Sequence, residues 1–467
     1  MTQPVAPPSS LTPELAVPLT EAGRIRPASA FQLPPRPRPN PLRYLSLFRD
    51  PADRFARLAR RLGDPFTLAG PLGTVVVTGR AEGVRALLSA DPATFAVANT
   101  DQLIPLVGEH TLLVQDGGPH LRDRKILTPP FHGARMRAYG RAMREIALLH
   151  SAAWQPSRPF RMLDTMQAIA LDVIIRTVFG VEDSGRARRF HEGGVELVRA
   201  LHPAIILFRG LRRDFGGFGP WARFRRVQTR LHRLFQGEID ARRRQPPGED
   251  ILSLLLSARF ADGEAPTDEW VRDQLATMLF AGHETTAVTL AWAFDHLHRA
   301  PPVLARLRSE IADLGADPEP DAVAAAPYLS AVCQETLRLH PGVSTLPARL
   351  LLRPLELCGY TLPPGVSVTA VASLLHQDPE VYPAPERFMP DRFLGWAPSP
   401  YQYIPFGGGS RRCIGAAFAL YEMKIVLASV LARCDLHVLD ARPDRDRLRS
   451  FTMGPHRGVR MALRGAC

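Results

Sequence analysis

The segment Phe406-Gly-Gly-Gly-Ser-Arg-Arg-Cys-Ile-Gly415 constrains this chain more than any other, because it runs straight into the helix-forming stretch Ala416 to Val430. A glycine-rich loop therefore feeds a helix. Glycines let backbone approach something flat and bulky without Cβ clashes, and a cysteine at a helix start has its thiolate stabilised by backbone N–H groups and the helix dipole. Such a sulfur is prepared to bind a metal. In isolation, a buried and inert cysteine in a glycine turn has the same pattern. A phosphate loop does not, since the Gly-Lys-Ser/Thr ending and the preceding strand are missing.

The rest of the chain supplies a large, mostly helical body. Its 467 residues can bury a substantial core, and 45% hydrophobic with 22% charged residues is a globular composition. Residues 1–41 are rich in Pro and Ser with little apolar periodicity and read as an arm. Leu42 to Leu62 is helical with Gly63 as its stop, and Phe66 to Val77 alternates as a short hairpin does. Residues 132–300 read mainly as helices, broken at Pro156, Pro159, Pro203 and the Gly216 to Pro220 segment, and short strands return at Leu350 to Val368. No internal repeat is present.

The formal net charge is +12, yet the basic residues are arginines apart from Lys125 and Lys424. Runs such as Arg223 to Arg226 lie in helix-like sequence and read as solvated faces, so no nucleic-acid partner is expected. The five cysteines, Cys333, Cys358, Cys413, Cys434 and Cys467, are widely spaced without a CxxC pair, so neither disulfides nor a zinc site are expected. The start MTQPVAPPSS has no basic and apolar leader, and the nearest approach to a membrane span, Met278 to Phe294, contains His283 and Glu284. A cytoplasmic chain without an integral membrane segment follows.

Further constellations carry chemistry. Glu335 and Arg338 share one helix face, a spacing that on its own more often marks a solvated pair. Ala281-Gly-His-Glu-Thr-Thr286 puts polar groups inside an apolar helix that opens near Thr267 and stops before Pro301-Pro302; its threonines can simply bond back to carbonyls one turn earlier. It is not a zinc-protease motif, because position 287 is Ala. His120 and Arg124 stand one turn apart ahead of Pro129-Pro130-Phe131.

Phe406, Gly409, Arg411, Cys413 and Gly415 together resemble the haem-binding signature of the cytochrome P-450 family, and the other motifs follow in the family's order over about residues 40–465. The resemblance implies a mainly α fold with small β-sheets, the helical triangular prism of that family, with residues 42–467 as one haem domain. It implies haem b between the Thr285 helix and the Cys413 loop, with Cys413 as the axial thiolate that pushes electron density onto iron. Phe406 would pack beside the sulfur, Gly415 would close the same loop, and Arg411, His120, Arg124 and Arg349 would hold the propionates. Gly282 would leave room over the haem, while Thr285 and Glu284 would form an alcohol-acid pair delivering protons during dioxygen activation. In the family an arginine of a later segment, here Arg392 of Phe388-Met-Pro-Asp-Arg-Phe393, joins Glu335 and Arg338 in a buried triad.

The implied activity is monooxygenation, the insertion of one oxygen atom of dioxygen into a substrate. No flavin or nicotinamide fingerprint occurs, so electrons would come from a separate ferredoxin and ferredoxin reductase, or a flavodoxin, steered by Arg122, Lys125, Arg135 and Arg412. By analogy the pocket walls are Phe95 to Val114, Leu201 to Phe218, Met278 to Ala281 and Val343 to Leu346. Their apolar character points to a lipophilic small molecule, a fatty acid or terpenoid ahead of a steroid or polyketide. The chain is expected to act as a monomer. The rival readings are a peroxide-driven or isomerising haem-thiolate enzyme, against which the intact Glu284-Thr285 pair counts, and a non-enzymatic haem protein.

Overall fold

A computed structural model describes residues 31–38, 51–70, 73–133, 135–156, 158–200, 205, 209–246, 248–449 and 451–465. In chain order, its helices of eight residues or more are α1 (Pro51–Leu62), α2 (Ala81–Ser89), α3 (Thr100–Val107), α4 (Gly117–Leu127), α5 (Arg135–Ala152), α6 (Met162–Val178), α7 (Ser184–Ala200), α8 (Gly219–Arg243), α9 (Asp268–Arg299), α10 (Pro301–Asp313), α11 (Pro327–Leu339) and α12 (Ala416–Arg433).

Helix α9 is the axis of the body. Thr267 caps it, its hydroxyl accepting from Trp270 N at 3.1 Å, and Asp268 and Glu269 in its first turn complement the dipole. His296, His298 and Arg299 close its last turn before Pro301 opens α10. At 32 residues it is about 48 Å long, and most of its middle is buried against α6, α12 and α8. Apolar residues on all sides are what a helix through a core needs.

The strands frame one end. β1 (Phe66–Gly70) and β2 (Gly73–Thr78) form the expected antiparallel hairpin, and the five-stranded order β1-β2-β8-β5-β3 is completed by β3 (Phe95–Val97), β5 (Arg349–Leu351) and β8 (Ser367–Ala370). Only β2 and β8 run parallel, and β8 is buried along its whole length, as a central strand covered on both faces must be. β6 (Leu355–Leu357) pairs with β7 (Tyr360–Leu362), and β4 (Phe160–Arg161), β9 (Leu436–Val438) and β12 (Arg460–Leu463) form a sheet in the order β4-β12-β9. β10 (Asp446–Arg449) and β11 (Thr452–Pro455) lay a hairpin along α9.

Of the arm, residues 31–38 are described, and they lie along the small sheets. Thr67 donates from N to Pro35 O at 2.8 Å and from its hydroxyl to Pro34 O at 2.7 Å, while Gln32 N donates to Thr361 O at 3.2 Å. Residues 1–30 and the proposed helix start at Leu42 lie outside the described residues; from Pro51 the helix is present and ends at Gly63, whose φ of +89° suits its glycine.

The cysteine expectation is corrected in one place. Cys333, Cys358 and Cys413 are free, but Cys434 is disulfide-bonded, its partner lying outside the described residues. Spacing hid this because the pairing is tertiary: β12 returns antiparallel to β9, and Arg464 N donates to Asp435 O, so the end of the chain comes back beside Cys434.

Candidate active site

The Cys413 loop is built by close packing. Cys413 N donates to Phe406 O at 2.9 Å, closing the loop, and Gly415 is the N-cap of α12. Gly407 and Gly409 take φ of +65° and +60°, and a Cβ on Gly409 would stand 2.8 Å from Leu88 O. These glycines seat the loop on α2. Cys413 lies just before α12 with an exposed side chain, although protein surrounds the sulfur closely enough to raise its pKa. Burial pushes the thiol up, while the Gly415 amide and the charges of Arg124 and Arg412 act toward the thiolate.

Beside the loop gathers a group of cations. Arg411 donates to Leu112 O at 2.8 Å and pairs with Asp116, which also accepts from Val97 N at 2.7 Å. Arg124 donates to Arg412 O at 2.7 Å, tying α4 to the loop. Burial, then the charges of Arg411, Arg124 and Arg349, push the His120 imidazole down to about 4, so it is neutral at pH 7. Burial and the Arg411 charge likewise lower Arg349 to about 10, Asp116 opposing. All the sequence-predicted propionate residues thus stand together, with more positive charge than the neighbouring carboxylates balance.

Opposite them runs the polar turn of α9. Thr285 packs on the backbone of Gly342, where an added Cβ would lie 3.3 Å from Thr285 Cβ, and Leu346 of the same segment reaches to 3.5 Å of the Cβ position on Gly407. The segment from Gly342 to Leu346 therefore links the Thr285 turn to the Cys413 loop. The Thr285 hydroxyl donates to Ala281 O at 2.7 Å and the Thr286 hydroxyl to Gly282 O at 3.1 Å. Glu284 has no exposed surface and is turned aside: it accepts from Gln167 Nε2 at 2.7 Å, with Arg449 Nε at 3.7 Å and His283 Nε2 at 3.9 Å. No hydrogen bond joins its carboxylate to Thr285. A Cβ on Gly282 would lie 2.7 Å from Ile174 Cδ1. The glycine therefore lets α9 pack closely on α6 at this turn.

The triad is present as a closed unit. Arg338 donates to both Glu335 oxygens, at 2.7 and 2.9 Å, and Arg392 Nε donates to Oε1 at 3.1 Å. Met389 N adds a bond of 2.8 Å, and Arg338 spends its remaining donors on His376 O and Arg387 O.

A cleft lined by Leu106, Phe224, Leu231, Phe235, Ala276 and Phe280 lies between α3, α8 and α9 and ends five residues short of Thr285. Phe280, on its inner wall, packs on Phe451 with centroids 4.1 Å apart. The Phe95 to Val114 and Met278 to Ala281 walls meet here through Leu106 and Phe280. Much of the Leu201 to Phe218 wall lies outside the described residues. Sequence reasoning missed Gln167, Arg449 and Asp116, which come from distant segments without a motif. It also missed Glu422 of α12, whose two oxygens are buried without a hydrogen-bond partner and whose carboxyl burial pushes well above the usual range.

The residues fit a haem. Among the described residues no group of three or more His, Cys, Asp or Glu side chains could hold a metal ion, so a metal at Cys413 must bring most of its own ligands, as porphyrin iron does. The surplus of positive charge beside the loop suits the two carboxylates that haem b carries. No helix of the described residues is long and apolar enough to cross a membrane.

Comparison with known proteins agrees with this chemistry. Residues 34–459 match the family described as Cytochrome P450. The "Putative cytochrome P450 135B1" of Mycobacterium tuberculosis and of Mycobacterium bovis is 34% identical over 451 residues, 93% of this chain and 92% of that protein. "Putative cytochrome P450 137" of Mycobacterium tuberculosis is 35% identical over 420 residues, 88% of this chain and 86% of that protein. A solved structure, "Retinoic acid bound cyanobacterial CYP120A1", superposes with a TM-score of 0.82 at 26% identity, covering 93% of this chain and 99% of that one. A sulfur with no partner ligands, waiting cations and a family match over nearly the whole length lead to one conclusion: this chain belongs to the cytochrome P450 family, the haem b-binding thiolate monooxygenases.

Proposed function

We propose that the enzyme hydroxylates or epoxidises a lipophilic small molecule, with fatty acids and terpenoids ahead of steroids and polyketides. The apolar cleft that runs along α9 toward Thr285 carries this reading. The structural neighbour, solved with retinoic acid, a terpenoid acid, supports it by likeness.

Bound haem b supplies the reductive activation of dioxygen and the transfer of one oxygen atom. The chain's own residues do the rest. Cys413 would hold the iron through its thiolate, and its loop, closed by the Phe406 carbonyl and capped by Gly415, keeps the sulfur in place. Arg411, Arg124, Arg349 and neutral His120 would bind the propionates, His120 as an N–H donor. Apolar walls exclude water from the reacting end of the substrate. Thr285, whose hydroxyl rests on Ala281 O, would hand on protons at the site, and Glu284 would supply them from the Gln167–Arg449 side of the helix. Because its carboxylate is turned away, Glu284 must change rotamer or act through a bridging water.

Electrons come from a separate ferredoxin and its reductase, or a flavodoxin, meeting the exposed Lys125, Arg135 and Arg412. The test is product formation from a panel of fatty acids and terpenoids by haem-loaded enzyme with NADPH, surrogate ferredoxin and reductase. Oxygenated product that requires the carrier supports the reading. Turnover with peroxide alone, at least as fast, would overturn the need for a partner.

A further inference from the structure

We propose that the lipophile ends in a carboxylate, and that Arg272 and His232 bind that carboxylate at the end of the cleft farthest from Thr285. This rests on the reading of the cleft as the seat of a lipophilic substrate, and it names the polar end of that substrate.

The polar groups of the cleft wall are largely committed. Gln228 donates to the carbonyls of Pro105 and Leu106 at 3.2 and 3.4 Å and accepts from Arg225 at 2.9 Å, while Thr277 donates to Asp273 O at 2.9 Å. His232 differs. It lines the cleft, half-buried, and among the described residues neither ring nitrogen has a hydrogen-bond partner. An uncommitted imidazole in an otherwise apolar wall is a recognition group.

Arg272 lies near enough for its charge to act on that imidazole. It lies one turn before Ala276 and two before Phe280 on the same stripe of α9, just beyond the residues that line the cleft. Its Nε is buried without an acceptor, and the Glu269 carboxylate, mostly exposed, comes no nearer than 3.6 Å. Asp273 beside it already accepts from His110 N. A guanidinium with a buried, unused N–H needs an anion or an acceptor.

Helix direction brings the two groups together. Gln236 bonds to Asp268 at the start of α9, while Phe224 and Gln228, earlier in α8, share the cleft with Ala276 and Phe280, later in α9, the order of antiparallel helices. His232, one turn back along α8, therefore faces the second turn of α9, where Arg272 sits. Burial and the charges of Arg272 and Arg225 hold the imidazole below its ordinary value, so it offers one N–H beside a permanent cation. The Phe235 ring, 6.4 Å from His232, closes the apolar side. From Arg272 to Thr285 the helix rises about 20 Å at about 1.5 Å per residue. An acid held there must be long and extended to bring its far end to Thr285.

The experiment uses haem-loaded enzyme at pH 7.5 and measures dissociation constants for hexadecanoic acid, its methyl ester and hexadecanol, by Soret shift and by calorimetry. The pair retinoic acid and its methyl ester repeats the comparison on a terpenoid skeleton. The acids should bind about tenfold tighter than the esters, the worth of one charge-assisted hydrogen bond. Arg272→Gln and His232→Leu should each remove most of that preference with ester affinity held within about twofold, and Arg272→Lys should keep it in part. Equal affinity of acid and ester in the unaltered protein overturns the proposal while leaving the lipophile reading intact. An undiminished preference in Arg272→Gln also overturns it. If no acid, ester or alcohol binds, the lipophile reading itself fails and this proposal with it.

Discussion

Two arginine clusters in this enzyme use the same chemistry to opposite ends. Around Glu335 everything is matched: Arg338 and Arg392 share the carboxylate, backbone carbonyls take the leftover donors, and Glu335 and Arg338 have no exposed surface. Around Arg411 the charges do not close. Arg349, Arg124 and His120 crowd the same region with Asp116 as the carboxylate that Arg411 holds, and burial together with the neighbouring cations keeps the imidazole neutral. A complete network maintains a fold. One with surplus positive charge spends stability to hold an anion in readiness.

The sharpest way to break this contrast is within the closed cluster. Glu335→Ala leaves two buried guanidinium groups without their carboxylate, at a cost of about 3–5 kcal/mol, and should give misfolded, haem-free protein. Soluble, haem-loaded Glu335→Ala would show that the cluster is not what holds this region. Cys413→Ser acts on the open side and should leave the far-ultraviolet circular dichroism unchanged. It should abolish the strongly red-shifted Soret band of the reduced carbon monoxide complex. A retained band would mean that another group ligates the iron.

Arg349→Leu sets the two clusters directly against each other. Haem-free protein should melt no lower than the unaltered chain, because a buried and repelled charge is removed, whereas haem should transfer to apomyoglobin faster by about tenfold or more. A lower melting point of the haem-free variant would make Arg349 structural. Thr285→Ala should keep haem and the carbon monoxide signature, yet product per NADPH should fall on the order of tenfold, with hydrogen peroxide making up the difference. Unchanged coupling would refute its proton role.

The smallest effect concerns His120 in the haem-free protein. Its folded value of about 4 lies below the ordinary 6.5, so the unfolded state binds the proton first, and stability is full above pH 6.5 and declines as pH falls toward 4. His120→Gln should make that decline shallower in urea melts across the interval. An identical slope would place the pH dependence elsewhere.

Most of the catalytic frame was legible because local chemistry writes it into short segments. A cap at Thr267, a glycine loop ending in cysteine and an Glu-x-x-Arg helix each carry their own signal. The partners of those segments were less legible. Gln167 and Arg449 reach Glu284 from elements more than a hundred residues away, and Leu88 explains Gly408 and Gly409 only once α2 lies against the loop. Gly282 shows the limit clearly, since spacing alone could not tell that a Cβ there would meet Ile174.

What the sequence determined by itself is the set of groups available for chemistry and the helices and turns that present them, because capping, turn geometry and periodicity act within a few residues. Where each side chain points, which carboxylate meets which arginine, and that Cys434 joins a disulfide were decided only by tertiary packing. Those outcomes depend on the meeting of surfaces far apart in the chain, and a local pattern holds no record of them.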